Sequence, residues 1–465
     1  MRYQSTRGRA PELGFDDVLL AGLADDGGLY VPSTWPTFSA AEWADFARLD
    51  YAALAARVVA PFVRGSVIER EIEAITKQAF ASFNHKAVAP LVQLDTNLWL
   101  LELFHGPTLA FKDYALQLVG LLFDHVLKAR RRRITVVGAT SGDTGSAAIE
   151  ACKDRDAVDI FIMHPAGRVS DVQRRQMTTV QSANVHNIAI AGTFDDCQNL
   201  VKEMFADARM RADLNLSAVN SINWARIMGQ VVYYAWASLQ LGAPQRQVAF
   251  SVPTGNFGNV FAGYVAKQMG LPIAKFVVGS NRNDILTRYF ETGSMTATAV
   301  APSLSPSMDI QISSNFERLL FDAYSRDGKA VSGMMDRFKQ SGQYSVDAKV
   351  HERILSMFSG ARLDDEGTKQ VIREVHATTG QVVDPHTAVG IHAARGVQLA
   401  PETPMVAMAT AHPAKFPDAV HAAIGQRPAL PAHMAGLFEK TERFTTLPND
   451  LDQVKRFVRE RARRI

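Results

Sequence analysis

The stretch Ile134-Thr-Val-Val-Gly-Ala-Thr-Ser-Gly-Asp-Thr-Gly-Ser-Ala-Ala148 decides the fold class of this chain. An apolar run precedes a glycine-rich turn, and small residues follow it, so the pattern predicts a strand, a tight turn and the first turn of a helix. A second stretch, Val248-Ala-Phe-Ser-Val-Pro-Thr-Gly-Asn-Phe-Gly-Asn-Val-Phe261, has the same design. Two units of this kind are typical of α/β proteins.

Both glycine-rich turns are candidate anion sites. Glycine lets the backbone direct its N–H groups toward a ligand, and the helix N-terminus adds the positive end of its dipole, so such turns hold phosphate or carboxylate groups. Either turn taken alone is more often an ordinary connection between a strand and a helix. The functional interpretation therefore depends on what else the chain carries.

Strand-like and helical patterns alternate along the chain from about Leu98 onward. Helical patterns follow most of the strands, for example at Asp195–Asp207 and Trp224–Leu241. Alternation of this kind predicts parallel sheets that are covered by helices on both faces. The predicted strands are Ile134–Val137, Val158–Met163, Val185–Ile190, Val248–Val252, Phe276–Val278 and Met405–Ala409.

The same patterns divide the chain into four segments. Residues 1–98 are mostly helical, with patterns at Ala41–Val59 and Val67–Phe80, and residues 99–245 form an α/β domain with the first glycine turn. Residues 246–424 form a second α/β domain with the other turn, and residues 425–465 form a C-terminal appendage. Within the second domain, residues 299–314 are rich in Ser, Pro and Met, which predicts a connector followed by a helical insertion.

Upstream of the first turn lies the segment His105-Gly-Pro-Thr-Leu-Ala-Phe-Lys-Asp-Tyr-Ala-Leu-Gln117, in which a lysine opens an amphipathic run. Because Leu109 and Phe111 flank it, we expect Lys112 to enter an apolar cleft. Burial without a partner lowers the pKa of a lysine toward that of a nucleophilic amine, which suits Schiff-base chemistry with an aldehyde cofactor. The alternative is a lysine whose stem covers apolar surface while its charged end reaches water.

A dinucleotide-binding fold is the competing interpretation of the first turn. Gly138, Gly142 and Gly145 are spaced much like the glycines of a reductase-type Rossmann loop, which needs an acidic residue at the end of the next strand to hold the ribose. That strand ends instead in His164-Pro165. We therefore consider nicotinamide binding the weaker hypothesis.

Four motifs in this order closely resemble the threonine synthase family, in its longer-chain branch. They are the lysine segment at residues 105–117, Ser141-Gly-Asp-Thr-Gly145, Pro253-Thr-Gly-Asn-Phe-Gly-Asn259 and Thr410-Ala-His-Pro-Ala-Lys-Phe416. Tyr3-Gln-Ser-Thr-Arg7, Asp26-Gly-Gly-Leu-Tyr-Val-Pro32 and Asn220-Ser-Ile-Asn-Trp-Ala-Arg226 are also similar to this family. The resemblance covers almost the full length of the chain. It implies the pyridoxal-phosphate fold of type II, which is shared with tryptophan synthase β.

The resemblance implies that pyridoxal 5'-phosphate is the cofactor and that Lys112 forms a Schiff base with it. Thr410 takes the family's position opposite the pyridine nitrogen, and its alternative role is to satisfy backbone groups at a strand end. The cofactor phosphate is expected on the backbone N–H groups of Gly255, Asn256, Phe257, Gly258 and Asn259.

Asp143 stands where many relatives have an asparagine that contacts the ring hydroxyl of the cofactor. A carboxylate would repel a phenolate there unless one of them is protonated or a water lies between them. A helix N-cap is an equally good interpretation of Asp143. Both interpretations stay open at this point.

The reaction that the resemblance implies is the conversion of O-phospho-L-homoserine and water to L-threonine and phosphate. Lys112 is then expected to move the substrate's protons, and water is added at the β-carbon after phosphate leaves. The substrate phosphate needs its own cationic or amide-lined pocket. The candidates are Ser141, Thr144, Asn223, Arg226 and Lys415, although Arg226 fits a surface helix equally well and Lys415 a solvated loop.

Composition limits the partners of the chain. Its 465 residues are 47% hydrophobic and 21% charged with a formal net charge of +3, which is typical of an ordinary globular protein with no preference for nucleic acid or membranes. Cys152 and Cys197 fall in helical patterns without metal-ligand spacing, so neither a disulfide nor a metal site is expected. The N-terminal stretch lacks the apolar run of a signal peptide. We expect a cytoplasmic enzyme, either a monomer or a homodimer.

Two other functions stay open. A pyridoxal-phosphate serine or threonine dehydratase would share Lys112 but would release ammonia and a keto acid; such enzymes usually have Ser-Phe-Lys where this chain has Ala110-Phe-Lys. A non-catalytic relative that binds a phosphorylated ligand is the other alternative. The retention of Lys112 and of both glycine turns argues against it.

Overall fold

The computed structural model describes residues 1–218 and 221–463, and these residues form sixteen β-strands. The strands are β1 (Arg2–Ser5), β2 (Leu13–Gly14), β3 (Tyr30–Pro32), β4 (Leu91–Gln93), β5 (Leu98–Glu102), β6 (Ile134–Ala139), β7 (Val158–Pro165), β8 (Val185–Ala191), β9 (Leu216–Ser217), β10 (Val248–Pro253), β11 (Ile273–Ser280), β12 (Ser294–Thr296), β13 (Gln343–Ser345), β14 (Phe358–Arg362), β15 (Met405–Ala409) and β16 (Thr445–Pro448). Asn220, which opens one of the motifs above, lies outside the described residues.

The same residues form nineteen α-helices and four short 3₁₀ helices. The α-helices are α1 (Phe15–Ala21), α2 (Ala40–Phe46), α3 (Tyr51–Val63), α4 (Ile72–Phe80), α5 (Lys112–Ala129), α6 (Asp143–Cys152), α7 (Asp171–Thr178), α8 (Phe194–Ala206), α9 (Ala208–Leu214), α10 (Trp224–Gln240), α11 (Gly258–Gln268), α12 (Ile285–Thr292), α13 (Phe316–Ala323), α14 (Gly328–Ser341), α15 (Ala348–Met357), α16 (Asp365–Thr379), α17 (Pro385–Arg395), α18 (Pro417–Ile424) and α19 (Leu451–Arg461). The 3₁₀ helices are Glu69–Glu71, Pro306–Met308, Pro413–Lys415 and Ala432–Glu439.

The larger sheet has six strands in the order β14-β11-β10-β15-β5-β4. Its neighbouring strands are parallel except for β4 and β5, which pair antiparallel. Every residue of β10 and of β15 is buried, as expected for central strands covered by helices on both faces. The segments that follow these two strands, 254–257 and 410–412, leave the sheet at the same carboxyl edge.

The smaller parallel sheet has five strands in the order β16-β8-β7-β6-β9. All of its neighbouring pairs are parallel. Each of the six strands predicted from the sequence lies within an observed strand, and the two parallel sheets confirm the predicted α/β class. The first glycine turn connects β6 of this sheet to α6.

Two of the predicted segment boundaries separate strands from the sheet to which they belong. β5 spans the boundary between residues 98 and 99 and pairs with β15, where Leu98 lies opposite Met405. β16 was assigned to a C-terminal appendage, but it pairs with β8 and completes the smaller sheet. Periodicity predicts that a stretch is a strand without naming its partner, so pairings between distant parts of the chain could not be predicted.

The N-terminal region contains helices α1 to α4 together with a small antiparallel sheet in the order β2-β1-β3. The single helix predicted over Ala41–Val59 is two helices, because Ser39 forms a capping box with Glu42 at the start of α2 and Asp50 accepts from Ala53 N at the start of α3. The helix predicted from Val67 begins only at Ile72, after a 3₁₀ turn.

Helix α5 is buried on nearly all sides rather than along one stripe. Fifteen of its 18 residues are buried, so it lies inside the molecule. Gly120 allows α5 to approach the backbone of α6, because a Cβ at Gly120 would overlap the carbonyl group of Ala151. This close packing positions the start of α5 relative to the first glycine turn.

No helix within the described ranges is both long enough and apolar enough to cross a lipid bilayer.

We expect Gly120→Ala to lower the free energy of unfolding by about 1–3 kcal/mol, because the added methyl group forces α5 and α6 apart. Denaturant unfolding followed by circular dichroism measures this change. Gly333→Ala is the matched control: a Cβ there lies 3.7 Å from its nearest neighbour, the Nη1 atom of Arg337, and alanine should stabilise α14 by about 0.5–1 kcal/mol. Equal effects of the two substitutions would contradict the packing argument.

Candidate active site

Lys112 is the first residue of α5, and the segment before it is tied to the segment that follows β15. Ala110 forms an isolated bridge with Ala411, and Phe111 N donates to Thr410 O at 2.9 Å. Lys112 is only 8% exposed. These backbone contacts hold the lysine beside the end of the central strand of the larger sheet.

The expected burial of Lys112 and the expected fall in its pKa are both found. Burial is the main cause of the lowered pKa of Lys112. The charge of Asp143 raises this pKa, whereas the charges of Lys415 and Arg226 lower it further. The expectation that Lys112 has no partner is wrong, because Asp143 Oδ2 lies 3.4 Å from Lys112 Nζ. A carboxylate from the smaller sheet thus faces a lysine attached to the larger one.

Asp143 joins three side chains from different parts of the chain. Its Oδ1 lies 2.8 Å from Lys415 Nζ and also accepts from Gln173 Nε2 at 2.8 Å, while Oδ2 faces Lys112. Burial would raise the pKa of Asp143, but the charges of Lys415 and Lys112 outweigh burial and hold that pKa well below its ordinary value. The carboxylate is therefore ionised. The N-cap of α6 is Gly142 rather than Asp143, so the capping interpretation of Asp143 is wrong.

Lys415 is fully buried, so its interpretation as a solvated loop charge is wrong. It ends the 3₁₀ turn Pro413–Lys415, and its Nζ donates to Thr108 O at 2.7 Å in addition to the contact with Asp143. Ser170 Oγ donates to the backbone carbonyl of Lys415 at 3.2 Å. Lys415 thereby links the lysine segment, the first glycine turn and the start of α7.

Arg226 is buried in the first turn of α10, so the surface interpretation is wrong. Burial lowers the pKa of its guanidinium to about 10. Its Nε atom is buried without a hydrogen-bond partner in the part of the chain that the structure describes. A buried cation without a counter-charge is costly, which indicates that a ligand supplies the anion.

Asn223 does not point to a ligand, although the sequence suggested that it binds substrate. Its side-chain oxygen accepts from Ala225 N at 3.0 Å and so caps α10, while its Nδ2 donates to Leu19 O at 2.9 Å. Both ends of the amide are used by the fold. Asn223 therefore positions α10, and with it Arg226.

The second glycine turn leaves its backbone N–H groups available. Phe257 adopts a left-handed conformation (φ 61°), and α11 begins directly after it at Gly258. Among the described residues no acceptor takes the N–H groups of Gly255, Asn256 or Phe257, and those of Gly258 and Asn259 belong to the first helical turn, which has no internal acceptors. Five successive donors at a helix N-terminus form an anion site.

The side chains of this turn serve the core. The ring of Phe257 packs edge-on against Phe316 at 4.9 Å, and Asn259 Oδ1 accepts from Tyr233 and Tyr234 at 2.7 and 2.9 Å. The Nδ2 of Asn259 is buried without a hydrogen-bond partner among the described residues, so this amide is a further donor beside the backbone groups. We refer to residues 254–259 as the phosphate loop.

The first glycine turn is organised by a residue that the sequence did not single out. Thr140 Oγ1 accepts from Gly142 N at 2.9 Å and from Gly145 N at 2.8 Å. Gly142 has a φ of 137°, and a Cβ on it would overlap the amide of Gln173, so only glycine fits there. Ser141 and Thr144 are half-buried on either side of Gly142 and Asp143.

Residues 299–314, predicted as a connector, contact both glycine turns; we call them the roof segment. Ser307 Oγ lies 3.5 Å from Asp143 Oδ2, and Ser313 Oγ donates to Gly255 O at 2.7 Å. Asp309 fixes the segment by accepting from Asn281 and Asn283. Gln173 and Ser307 were missed because a single glutamine or serine far from a motif carries no sequence signal.

Thr410 is buried directly after β15. Its carbonyl oxygen accepts from Phe111 N, but within the described ranges its hydroxyl group has no hydrogen-bond partner. The hydroxyl does not satisfy the strand-end backbone, so it is available to a ligand.

Comparisons with known proteins agree along the whole chain. Family models described as "Threonine synthase N terminus", "Pyridoxal-phosphate dependent enzyme" and "Threonine synthase, C-terminal" match residues 2–80, 84–337 and 387–458. Threonine synthase from Pseudomonas aeruginosa is 57% identical over 465 residues, which cover 100% of this chain and 99% of the relative. The chain belongs to the threonine synthase family.

Solved structures of this family have the same fold as the chain. The PLP-bound threonine synthase from Brucella melitensis superposes with a TM-score of 0.98 at 54% identity over 100% of both chains. Threonine synthase from yeast superposes with a TM-score of 0.95 at 38% identity, covering 99% of this chain and 98% of that one. These likenesses confirm the predicted family, fold type and class of enzyme.

The site of this threonine synthase family member fits pyridoxal 5'-phosphate. Lys112 supplies a buried amine, and the phosphate loop supplies free backbone donors for a phosphate. Two buried lysines, Lys112 and Lys415, contact the carboxylate of Asp143, and the charge of the buried Arg226 also acts on Lys112. An aldehyde cofactor with an anionic tail matches both features.

We expect Asp143→Asn to lower the pKa of Lys112 further, because it removes a negative charge that opposes burial and the charges of Lys415 and Arg226. The pH dependence of pyridoxal-phosphate uptake by the apoprotein measures this shift, and its midpoint should move to lower pH. Asp171→Asn, on the exposed face of α7, is the control and should leave the midpoint in place. An unchanged midpoint in Asp143→Asn would show that this carboxylate does not set the state of Lys112.

Proposed function

We propose that this chain is a threonine synthase that converts O-phospho-L-homoserine and water to L-threonine and phosphate. The observation that carries the proposal is the buried cationic site, in which Arg226 has no counter-charge among the described residues while the phosphate loop offers a separate set of backbone donors. A substrate with its own phosphate group, bound beside a phosphorylated cofactor, accounts for both. A serine or threonine dehydratase binds only the phosphate of the cofactor, because its substrate carries no phosphate group.

Lys112 is the proposed proton carrier at the substrate's α-carbon. When bound, pyridoxal 5'-phosphate supplies the electron sink that makes the protons near the substrate nitrogen acidic. The lowered pKa of Lys112 favours the neutral amine, whose Nζ lone pair accepts a proton. Asp143 lies 3.4 Å from that Nζ and limits where the amine moves.

Asp143 and Lys415 are proposed to position the machinery rather than to bind the substrate phosphate directly. Lys415 forms an ion pair with Asp143 and donates to Thr108 O. Because its charge is already paired, Lys415 is a weaker candidate than Arg226 for binding the substrate phosphate. The predicted contact of Asp143 with the cofactor ring, and that of Thr410 with the pyridine nitrogen, stay predictions. The same holds for the phosphate loop as the site of the cofactor phosphate.

The substrate phosphate is assigned to Arg226, with the hydroxyl groups of Ser141 and Thr144 as further donors. Arg226 presents a planar set of N–H donors that suits a phosphate, and burial strengthens the interaction. The roof segment covers the space near Asp143 and Gly255, which limits the access of bulk water to the reacting atoms.

The activity is tested by incubating the purified holoenzyme with O-phospho-L-homoserine and assaying phosphate, threonine and ammonia together. We expect equal amounts of phosphate and threonine without ammonia. Lys112→Ala should abolish both products and the cofactor adduct that borohydride traps at position 112. Ammonia formed from serine or threonine as the main product would identify a dehydratase instead.

We expect Arg226→Gln to raise the KM for O-phospho-L-homoserine by about 10- to 100-fold, because one charge-assisted contact to the substrate phosphate is lost. The visible absorbance of the bound cofactor and its dissociation constant should not change. Steady-state kinetics and cofactor titration separate the two effects. Loss of the cofactor with an unchanged KM would assign Arg226 to the cofactor phosphate.

Assembly as a monomer or homodimer, the lack of a nucleic-acid partner and a cytoplasmic location stay predictions. Light scattering of the purified protein measures its molar mass and so distinguishes a monomer from a homodimer.

A further inference from the structure

Asp384 and His386 stand at the start of α17, at the carboxyl edge of the larger sheet. Helix α17 leads through a short loop into β15, so it runs opposite to the strands, and Gly390 lies against Pro253 at the end of β10. His386 precedes Gly390 by about one helical turn, or about 6 Å. It therefore lies beyond the strand end, at the level at which the phosphate loop begins.

The carboxylate of Asp384 fixes the imidazole of His386. Asp384 Oδ2 lies 2.6 Å from His386 Nδ1 and accepts from His386 N at 3.0 Å, while Oδ1 accepts from Thr387 N at 3.0 Å. An imidazole that donates through Nδ1 to a carboxylate carries its lone pair on Nε2. The same carboxylate caps α17, so the ring is held by a group that is itself fixed.

The Nε2 atom of His386 is buried and has no hydrogen-bond partner within the described part of the chain. His386 is only 4% exposed, and leaving such an acceptor unsatisfied costs about 1–3 kcal/mol. An unsatisfied buried group in a native protein calls for a ligand or a function. The cap on α17 accounts for Asp384, but it does not account for Nε2.

His386 is close to the cationic cluster. Its ring lies 4.8 Å from that of Phe416, the residue next to Lys415. His412 is influenced by the charges of both Asp384 and Lys415, so both of these charged groups lie near His412. The pair adjoins the site without belonging to the cluster around Asp143.

We propose that His386, oriented by Asp384, accepts the proton from the water that is added to the substrate. The inference rests on the proposed function. After phosphate has left, water adds across the carbon–carbon double bond: one O–H bond breaks and its proton goes to His386 Nε2, while the oxygen forms a bond to the β-carbon. The π electron pair moves to the α-carbon, which takes up one proton from the Lys112 ammonium. The imidazolium gives the proton from water to the solvent, and the solvent resupplies Lys112, so no net proton is gained or lost.

His386→Gln keeps a polar group at about the position of Nε2 but removes the titratable lone pair. We expect threonine formation to fall by about 100-fold or more, with the absorbance of the bound cofactor retained. Phosphate should then exceed threonine, and ammonia should make up the difference, because a product that escapes before hydration hydrolyses to a keto acid and ammonia. His392→Gln, on the same helix and half-exposed, is the control and should behave as wild type.

Asp384→Asn is the second variant. Asparagine still caps α17, but its amide N–H₂ faces Nδ1 and favours the tautomer with the proton on Nε2. The same excess of phosphate over threonine is expected. Equal amounts of phosphate and threonine in both variants, whether at wild-type rates or uniformly reduced, would overturn the proposal, since His386 would then not act after phosphate has left.

A readout other than activity uses ¹⁵N-histidine-labelled holoenzyme, with the His386 signal assigned by its loss in His386→Gln. We expect an unprotonated Nε2 whose resonance shifts when 2-amino-5-phosphonopentanoate, a methylene analogue of the substrate, is added. A protonated Nε2, or a resonance that the analogue leaves unmoved, would overturn the proposal even where a variant fails to fold. A wild-type enzyme that forms no threonine would refute the proposed function instead.

Discussion

The active site depends on a buried carboxylate that is paired with two buried lysines. Asp143 faces Lys112 and Lys415, and the strength of these pairings follows from the dry surroundings, in which charges interact more strongly than in water. Removing one partner from such a cluster leaves another charge buried without compensation. Lys112, Lys415 and Asp143 are therefore one electrostatic unit, although they come from three distant parts of the sequence.

That unit also joins the two sheets. Asp143 follows a strand of the smaller sheet, whereas Lys415 follows the central strand of the larger sheet and Lys112 is tied to the same strand end through Phe111. Parallel strands place the segments that follow them at one edge, so the fold brings these groups together without a dedicated binding domain. The roof segment adds a third connection, because Ser307 lies near Asp143 while Ser313 binds Gly255.

Local signals in the sequence predicted several elements, but not their partners. Six strands and both glycine turns were predicted because periodicity and turn residues are local signals. The pairing of β5 with β15 and of β16 with β8 was not, since it depends on which distant strands meet. The burial of Lys415 and Arg226 was missed for the same reason: a charged residue in a loop or a first helical turn looks exposed until the rest of the chain covers it. Asn223 shows the converse, because a motif position can serve a helix cap rather than a ligand.

The Nε of Arg226 and the backbone N–H groups of Gly255, Asn256 and Phe257 have the same thermodynamic consequence. Among the described residues none of these donors has an acceptor, so their burial or orientation carries a desolvation cost. An anion that binds the folded state but not the unfolded one removes this cost and stabilises the fold in proportion to the logarithm of its concentration relative to its dissociation constant. Because the donors are already oriented, little conformational entropy is lost on binding. Affinity for phosphorylated ligands and stabilisation of the fold by those ligands therefore have a single physical origin, buried or oriented donors for which the ligand supplies the acceptor.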